Sequence, residues 1–273
     1  MAVEDPFAAD EMNLLGYSNM RQRDGSLMQV FEMDIQKRLS RDIGLSLAAE
    51  YDQISQDPDN VYGFKNLETT LKYVMFKSPS HETILAAGLS MELGGTGTKG
   101  VPEADTTSTL TPTFYFGKGF GDLPDSLKYA RPFAITGTAG IGTPLVNSVD
   151  PVEVHSTLNY GMTVMYSTMY LQSFVKDIGI PKPFSRVIPI VEFSFATDLN
   201  GPTQGKTTTA YANPGFLWVG RYMELGLEAM IPMNSDTESQ SGVMAMFHLF
   251  LDDISPGIFT RTLSGEVLGR TQP

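Results

Sequence analysis

The sequence predicts an all-β chain folded as a single up-and-down antiparallel transmembrane β-barrel of about twelve strands. Three observations predict it. Runs of about ten residues alternate apolar and polar side chains from one end of the chain to the other, the period-two mark of a strand with two different environments. The connections between the runs alternate too, mostly short near residues 40, 79, 122, 179 and 221 and mostly longer and rich in Gly, Thr, Asp and Asn near 57, 100, 147, 202 and 237. Short turns at one end and long loops at the other is the pattern of an outer-membrane barrel. Third, acids fall in mid-strand, on the face opposite the apolar one.

The pattern is clearest over Arg221–Asp252. Leu225, Leu227, Ala229 and Ile231 share a face opposite Glu224, Gly226 and Glu228, and Val243, Ala245, Phe247, Leu249 and Leu251 share one opposite Met244, Met246 and His248. The polar stretch Asn234–Ser241 between them makes this a hairpin, and the rest of the chain repeats it. Residues 1–12 read as a polar arm without regular structure. Leu14–Gln22 is a candidate first strand, and ten strands follow if it is not one. Asp24–Gly25 is a hairpin turn, since both residues accept positive φ. Leu27–Lys37, Gly44–Gln53, Phe64–Phe76, Glu82–Leu93, Ser108–Lys118, Lys128–Gly142, Val154–Gln172, Arg186–Thr197 and Lys206–Val219 complete the set. Lys176–Phe184 holds Pro181 and Pro183 and must be a connection. Asn213–Pro214–Gly215 is a candidate bulge or kink. The barrel is expected over 13–252, with a tail over 253–273.

Composition narrows the function. The chain has 273 residues, a net charge of -12 and 18% charged residues. A nucleic-acid partner calls for a basic face and is excluded. No apolar run approaches the ~20 residues of a membrane helix, but a membrane barrel has none either, because half its strand residues face a polar interior. The absence of cysteine fits an oxidising compartment. The first residues have neither the basic nor the apolar region of a signal peptide, so an exported chain would have lost it.

The two faces separate a membrane barrel from a soluble sandwich, the rival reading. Aromatic residues stand near strand ends on the apolar face (Tyr51, Tyr73, Phe116, Tyr166, Phe216 and Trp218), as an interfacial girdle requires. The opposite face carries Glu32, Asp34, Glu50, Glu68, Glu92, Glu192, Glu224 and Glu228, together with Lys72 and His248. These ten are the expected lumen lining, with Lys72, Arg131 and Arg186 as cations for the acids. Such a lining is either a salt-bridged interior without chemistry or an acidic conduit favouring cations and neutral solutes.

No catalytic, cofactor-binding or metal site is expected. His81, His155 and His248 share no metal-ligand spacing. Gly117–Gly121 lacks the spacing of a phosphate loop and its following hydroxyl residue. Asp57–Asn60 and Asp252–Asp253 do not have EF-hand spacing.

Three segments carry a resemblance. Gly63–Phe76 (GFKNLETTLKYVMF), Pro189–Phe195 (PIVEFSF) and Asn213–Asn234 (NPGFLWVGRYMELGLEAMIPMN) resemble, in order and spacing, strands of the outer-membrane transporter family of the meta-pathway of phenol degradation. The resemblance spans roughly residues 27 to 251. It implies an outer-membrane barrel of about twelve strands in a Gram-negative-type envelope, passing small, often hydrophobic compounds, with no catalytic residues to carry over. The expected partners are outer-membrane lipid, a small solute, and envelope proteins docking on the tail. The tail beyond Asp252 departs from a barrel that ends on its last strand. It reads either as a disordered periplasmic tail, or as a plug or docking segment. A structural barrel anchoring a larger envelope assembly is the alternative to a channel.

Overall fold

The structure is a computed structural model that describes residues 2–55, 60–101, 104, 107–146, 148–149, 152–153, 155–200, 207–237 and 239–260. Its strands are β1 (Glu11–Gln22), β2 (Leu27–Arg38), β3 (Ile43–Ser55), β4 (Asn60–Phe64), β5 (Leu67–Ser78), β6 (Thr83–Leu93), β7 (Thr109–Gly119) and β8 (Phe133–Pro144). Two short strands follow, β9 (Ser148–Val149) and β10 (Val152–Glu153), then β11 (Thr157–Tyr166), β12 (Val187–Asp198), β13 (Thr208–Val219), β14 (Met223–Pro232) and β15 (Ser239–Phe250).

Twelve of these form the barrel, in the ring order β1-β2-β3-β5-β6-β7-β8-β11-β12-β13-β14-β15 and back to β1. Every pairing is antiparallel. Closure comes from β1, which pairs with β2 on one side and β15 on the other, so Glu11–Gln22 is a true strand and twelve is the number. It leaves no sheet edge, which a run of hairpins this long would otherwise expose. β9 and β10 make a separate two-stranded hairpin.

The barrel is inside-out relative to a soluble protein. Met33, Ile35, Leu45, Leu47, Leu71, Tyr73, Leu89, Phe114, Ile141, Phe216, Leu225, Leu227 and Val243 stand exposed on its outer surface. Arg38, Asp52, Lys72, Glu192, Asn213 and Glu228 are among its most buried side chains. Leaving a Leu- or Phe-sized side chain in water forgoes about 1.5–3 kcal/mol each, and a belt of them forgoes tens. Only a hydrocarbon surround removes that cost, and the closed ladder satisfies the backbone there. The apolar face is therefore a lipid face, and the soluble sandwich falls.

Local departures from the expected strands have physical causes. Asp24 accepts from the Ser26 amide (2.8 Å) and hydroxyl (2.7 Å), Gly25 takes φ 92°, and the β1–β2 turn closes as expected. The two hydrogen bonds hold the Asp24 carboxyl below the ordinary aspartate range. The stretch read as Phe64–Phe76 is two strands, because Lys65 and Asn66 step out of the ladder where β4 gives way to β5 beside β3. The run from Lys128 begins as a 3-10 turn, Asp125–Ala130, and turns to strand only at Phe133. Likewise β11 stops at Tyr166, where the Ser167 side chain accepts from the Tyr170 amide at 3.1 Å and starts a helical turn. Asn213–Pro214–Gly215 brings no bulge. β13 keeps one register with β14 on both sides of it, Ala212 opposite Ile231 and Gly215 opposite Glu228.

The first strand starts and the last strand ends at one mouth of the barrel, Glu11 opposite Phe250. After β15 the chain makes two short helical turns, Leu251–Ile254 and Pro256–Phe259. The Leu251 amide donates to the Asp10 carbonyl at 3.0 Å, and Lys37 Nζ donates to the Phe259 carbonyl at 3.0 Å. Burial and the neighbouring Asp253 push the Asp252 carboxyl up. The tail beyond residue 260 and the loop Asp57–Asp59 lie outside the described residues.

Candidate functional site: a lumen crossed by the N-terminal arm

The candidate site is the barrel interior, and alternation decides what enters it. On β2, Met33 and Ile35 face lipid, so Glu32 and Asp34 face inward; by the same rule Glu50, Glu68, Lys72, Glu92, Glu192, Glu224, Glu228 and His248 line the lumen. They form separate groups rather than one site.

Toward the loop-bearing end, Glu32, Glu50, Glu68 and Glu92 surround a cavity of about 230 Å3 with Ala48, Lys65 and Asn66. Lys65 bridges Glu50 (2.7 Å) and Asp52 (3.6 Å), and Asn66 donates to Glu92 at 2.9 Å. Both arrive where the ladder breaks between β4 and β5, so a period-two reading does not find them. Near the mouth that holds the termini, His248 lies 3.4 Å from Glu11 and opposite Glu224 across the β14–β15 pair. At mid-height on the far wall, Glu192, Asn213 and Glu228 come together from β12, β13 and β14, all buried.

Arg131 and Arg186, expected as partners of the lumen acids, are elsewhere. Both sit in the connections at the terminus-bearing end, Arg131 against Asp125 (2.8 Å) and the Leu123 carbonyl, Arg186 against the Val219 carbonyl. They fall in turn segments, outside any strand, so alternation never assigned them a face.

The feature that composition hid is the arm. Residues 2–10 have no regular secondary structure, yet they run into the lumen. At the mouth, Asp10 ties to Lys37 (2.5 Å) and to Arg38 (3.4 Å), and the Ala9 amide donates to Gln36 at 2.8 Å. Ala8 packs at Gly44 and in a small buried cluster with Val74, Ile84, Ala86 and Tyr115. Glu4 pairs with Lys72 (2.5 Å) and accepts from the Tyr115 hydroxyl at 3.2 Å. Lys72 also donates to the Asp5 carbonyl at 2.9 Å, its Nζ 4.8 Å from the centre of the Tyr115 ring. Val3 is buried against Gly161 on β11, and the Ala2 amide donates to Glu192 on β12. In ring order, β2 and β3 face β11 and β12 across the barrel. The arm therefore spans the full width of the lumen and rises from one mouth to mid-height. The segment that enters the lumen among the described residues is thus the N-terminal one; the tail beyond residue 260, read above as disordered, a plug or a docking segment, lies outside them.

No protein-family model and no curated protein matches this chain. Among solved structures, an outer membrane channel from Pseudomonas putida F1 matches with a TM-score of 0.58 at 11% identity, over 91% of this chain and 97% of that one. The fold is that of an outer-membrane β-barrel. The NanC porin matches with a TM-score of 0.51 at 6% identity, over 86% and 98% of the two chains. At such identities what is shared is the barrel, and the lumen residues must speak for themselves.

Proposed function

We propose that this protein is an outer-membrane channel for small cationic or neutral solutes, closed in the present state by residues 2–10. One observation carries the reading: a lipid-facing belt encloses a polar interior whose wall is acidic and whose only crossing segment among the described residues is a tether, not a strand. A structural barrel would gain more from an apolar, close-packed interior than from buried acids, each of which costs desolvation. The acids instead suit a water-filled path that concentrates cations. An even strand number puts both termini at one mouth, which would be periplasmic, with the long loops outside. The phenol-pathway resemblance favours hydrophobic solutes; the wall chemistry of Glu32, Glu50, Glu68 and Glu92 favours polar ones, and we follow the wall.

The test is conductance in planar bilayers. The full chain is expected to be mostly closed. A variant lacking residues 2–9 is expected to conduct, with a reversal potential favouring cations. A folded, heat-modifiable arm-deleted barrel that passes no current would replace this reading with that of a structural barrel anchoring an envelope assembly.

A further inference from the structure

The mid-height cluster on the far wall holds three buried polar side chains. Asn213 is 0% exposed and its amide atoms have no hydrogen-bond partner among the described residues, while Glu228, 1% exposed, stands against the Glu192 carboxyl. An unpartnered buried amide costs about 1–3 kcal/mol, a cost that a bound donor and acceptor would remove. Glu192 also accepts from the Thr163 hydroxyl at 2.9 Å and from the Ala2 amide of the arm.

The backbone explains how the three side chains converge. Glu192 and Asn213 are directly opposed across β12–β13. Gly215 stands opposite Glu228, and a Cβ there would come within 2.6 Å of Glu228 Cγ, so the missing side chain leaves room for that carboxylate. Pro214 has no N–H to compete for these acceptors.

We propose that Glu192, Asn213 and Glu228 form a binding site for an ammonium group, and that a small cationic amine entering it displaces the head of the arm. An ammonium offers three donors on a compact positive centre, which matches two carboxylates and one amide oxygen. A metal ion fits less well: among the described residues no group of three His, Cys, Asp or Glu is placed to hold one. The present occupant is itself an N–H donor, the Ala2 amide on Glu192, next to Val3 seated at Gly161. An ammonium seated between Glu192 and Glu228 competes with the Ala2 amide for the Glu192 carboxylate, and Val3 leaves when the arm gives way. This deepens the channel reading, since it names amines as the solutes that open their own path.

The chain has no cysteine, so Val3→Cys in the full chain is a unique reporter. Val3 is 6% exposed when the arm is seated. In proteoliposomes, labelling by a membrane-impermeant maleimide is expected to quicken on the order of tenfold in methylammonium chloride over sodium chloride at equal ionic strength, a shift of about 1.4 kcal/mol in arm release. Glu228→Gln and Asn213→Leu, each added to the reporter, are expected to abolish the difference. Asn213→Leu removes no charge and serves if Glu228→Gln does not give a heat-modifiable band. Equal labelling in the two salts overturns the proposal, as does an acceleration that survives both substitutions. Because labelling is read without current, an amine response in a barrel that never conducts would overturn the channel reading and leave this site standing.

Discussion

Lys72→Met should release the arm. Lys72 touches the arm at two points, the Glu4 carboxylate and the Asp5 carbonyl, while its Nζ lies over the ring of Tyr115 on the barrel wall, whose hydroxyl donates to Glu4. The hydrogen bond from this charged donor to the Asp5 carbonyl contributes roughly 1.5–3 kcal/mol, whereas the contact with the Tyr115 ring stays in the wall when the arm leaves and adds nothing to its seating. The Glu4 pair must be discounted, since the Glu4 side chain is 50% exposed and exposed pairs contribute about 0–1 kcal/mol. The sum is about 3 kcal/mol, or on the order of a hundredfold in the seated-to-released ratio. Met keeps the stem and loses the charge, so the barrel wall stays packed. The assay is open probability in planar bilayers, alongside maleimide labelling of the Val3→Cys reporter. Glu4→Gln should do the same more weakly, by about 1 kcal/mol. A folded Lys72→Met barrel with unchanged open probability and labelling would refute the claim that this contact seats the arm.

Other consequences can be measured independently. Leu227→Arg places a charge in the lipid belt and should cost about 2–4 kcal/mol if the position is near the midplane, read as a shift in reversible urea unfolding in lipid vesicles; no loss would mean the outer face is not in hydrocarbon. In the arm-deleted barrel, Glu224→Gln with Glu228→Gln should lower cation preference, and unchanged reversal potentials would remove these acids from the conduction path. The Asp122 carboxyl is held below the ordinary aspartate range by hydrogen bonds from Lys118 and His81. A depressed carboxylate stabilises fully above its unfolded value and stops doing so as pH falls through its folded one. Asp122→Asn should therefore lose Tm at neutral pH and converge with the parent just below the usual aspartate range. A constant difference between the two across that window would exclude the linkage.

Alternation and loop lengths were enough to read an up-and-down barrel of about twelve strands, with ten left open until β1 is seen to pair on both sides, because a strand's two faces follow from period two alone. Glu32 and Glu228 needed no structure to be placed inward once Met33 and Leu227 were placed outward. Period two is silent wherever the ladder breaks or ends. It missed Lys65 and Asn66 at the β4–β5 step and carried β11 past Ser167 into a capped turn, and it gave no face to Arg131 and Arg186, whose expected place in the lumen the turns overrule. It also says nothing of residues without a strand. The arm is short, polar and aperiodic, and its local preferences describe only an unstructured tether. Its place is set by long-range contacts, Asp10 with Arg38, Glu4 with Lys72, Ala2 with Glu192, which exist only after β1 and β15 have closed the ring and brought β2 and β12 to face each other across it.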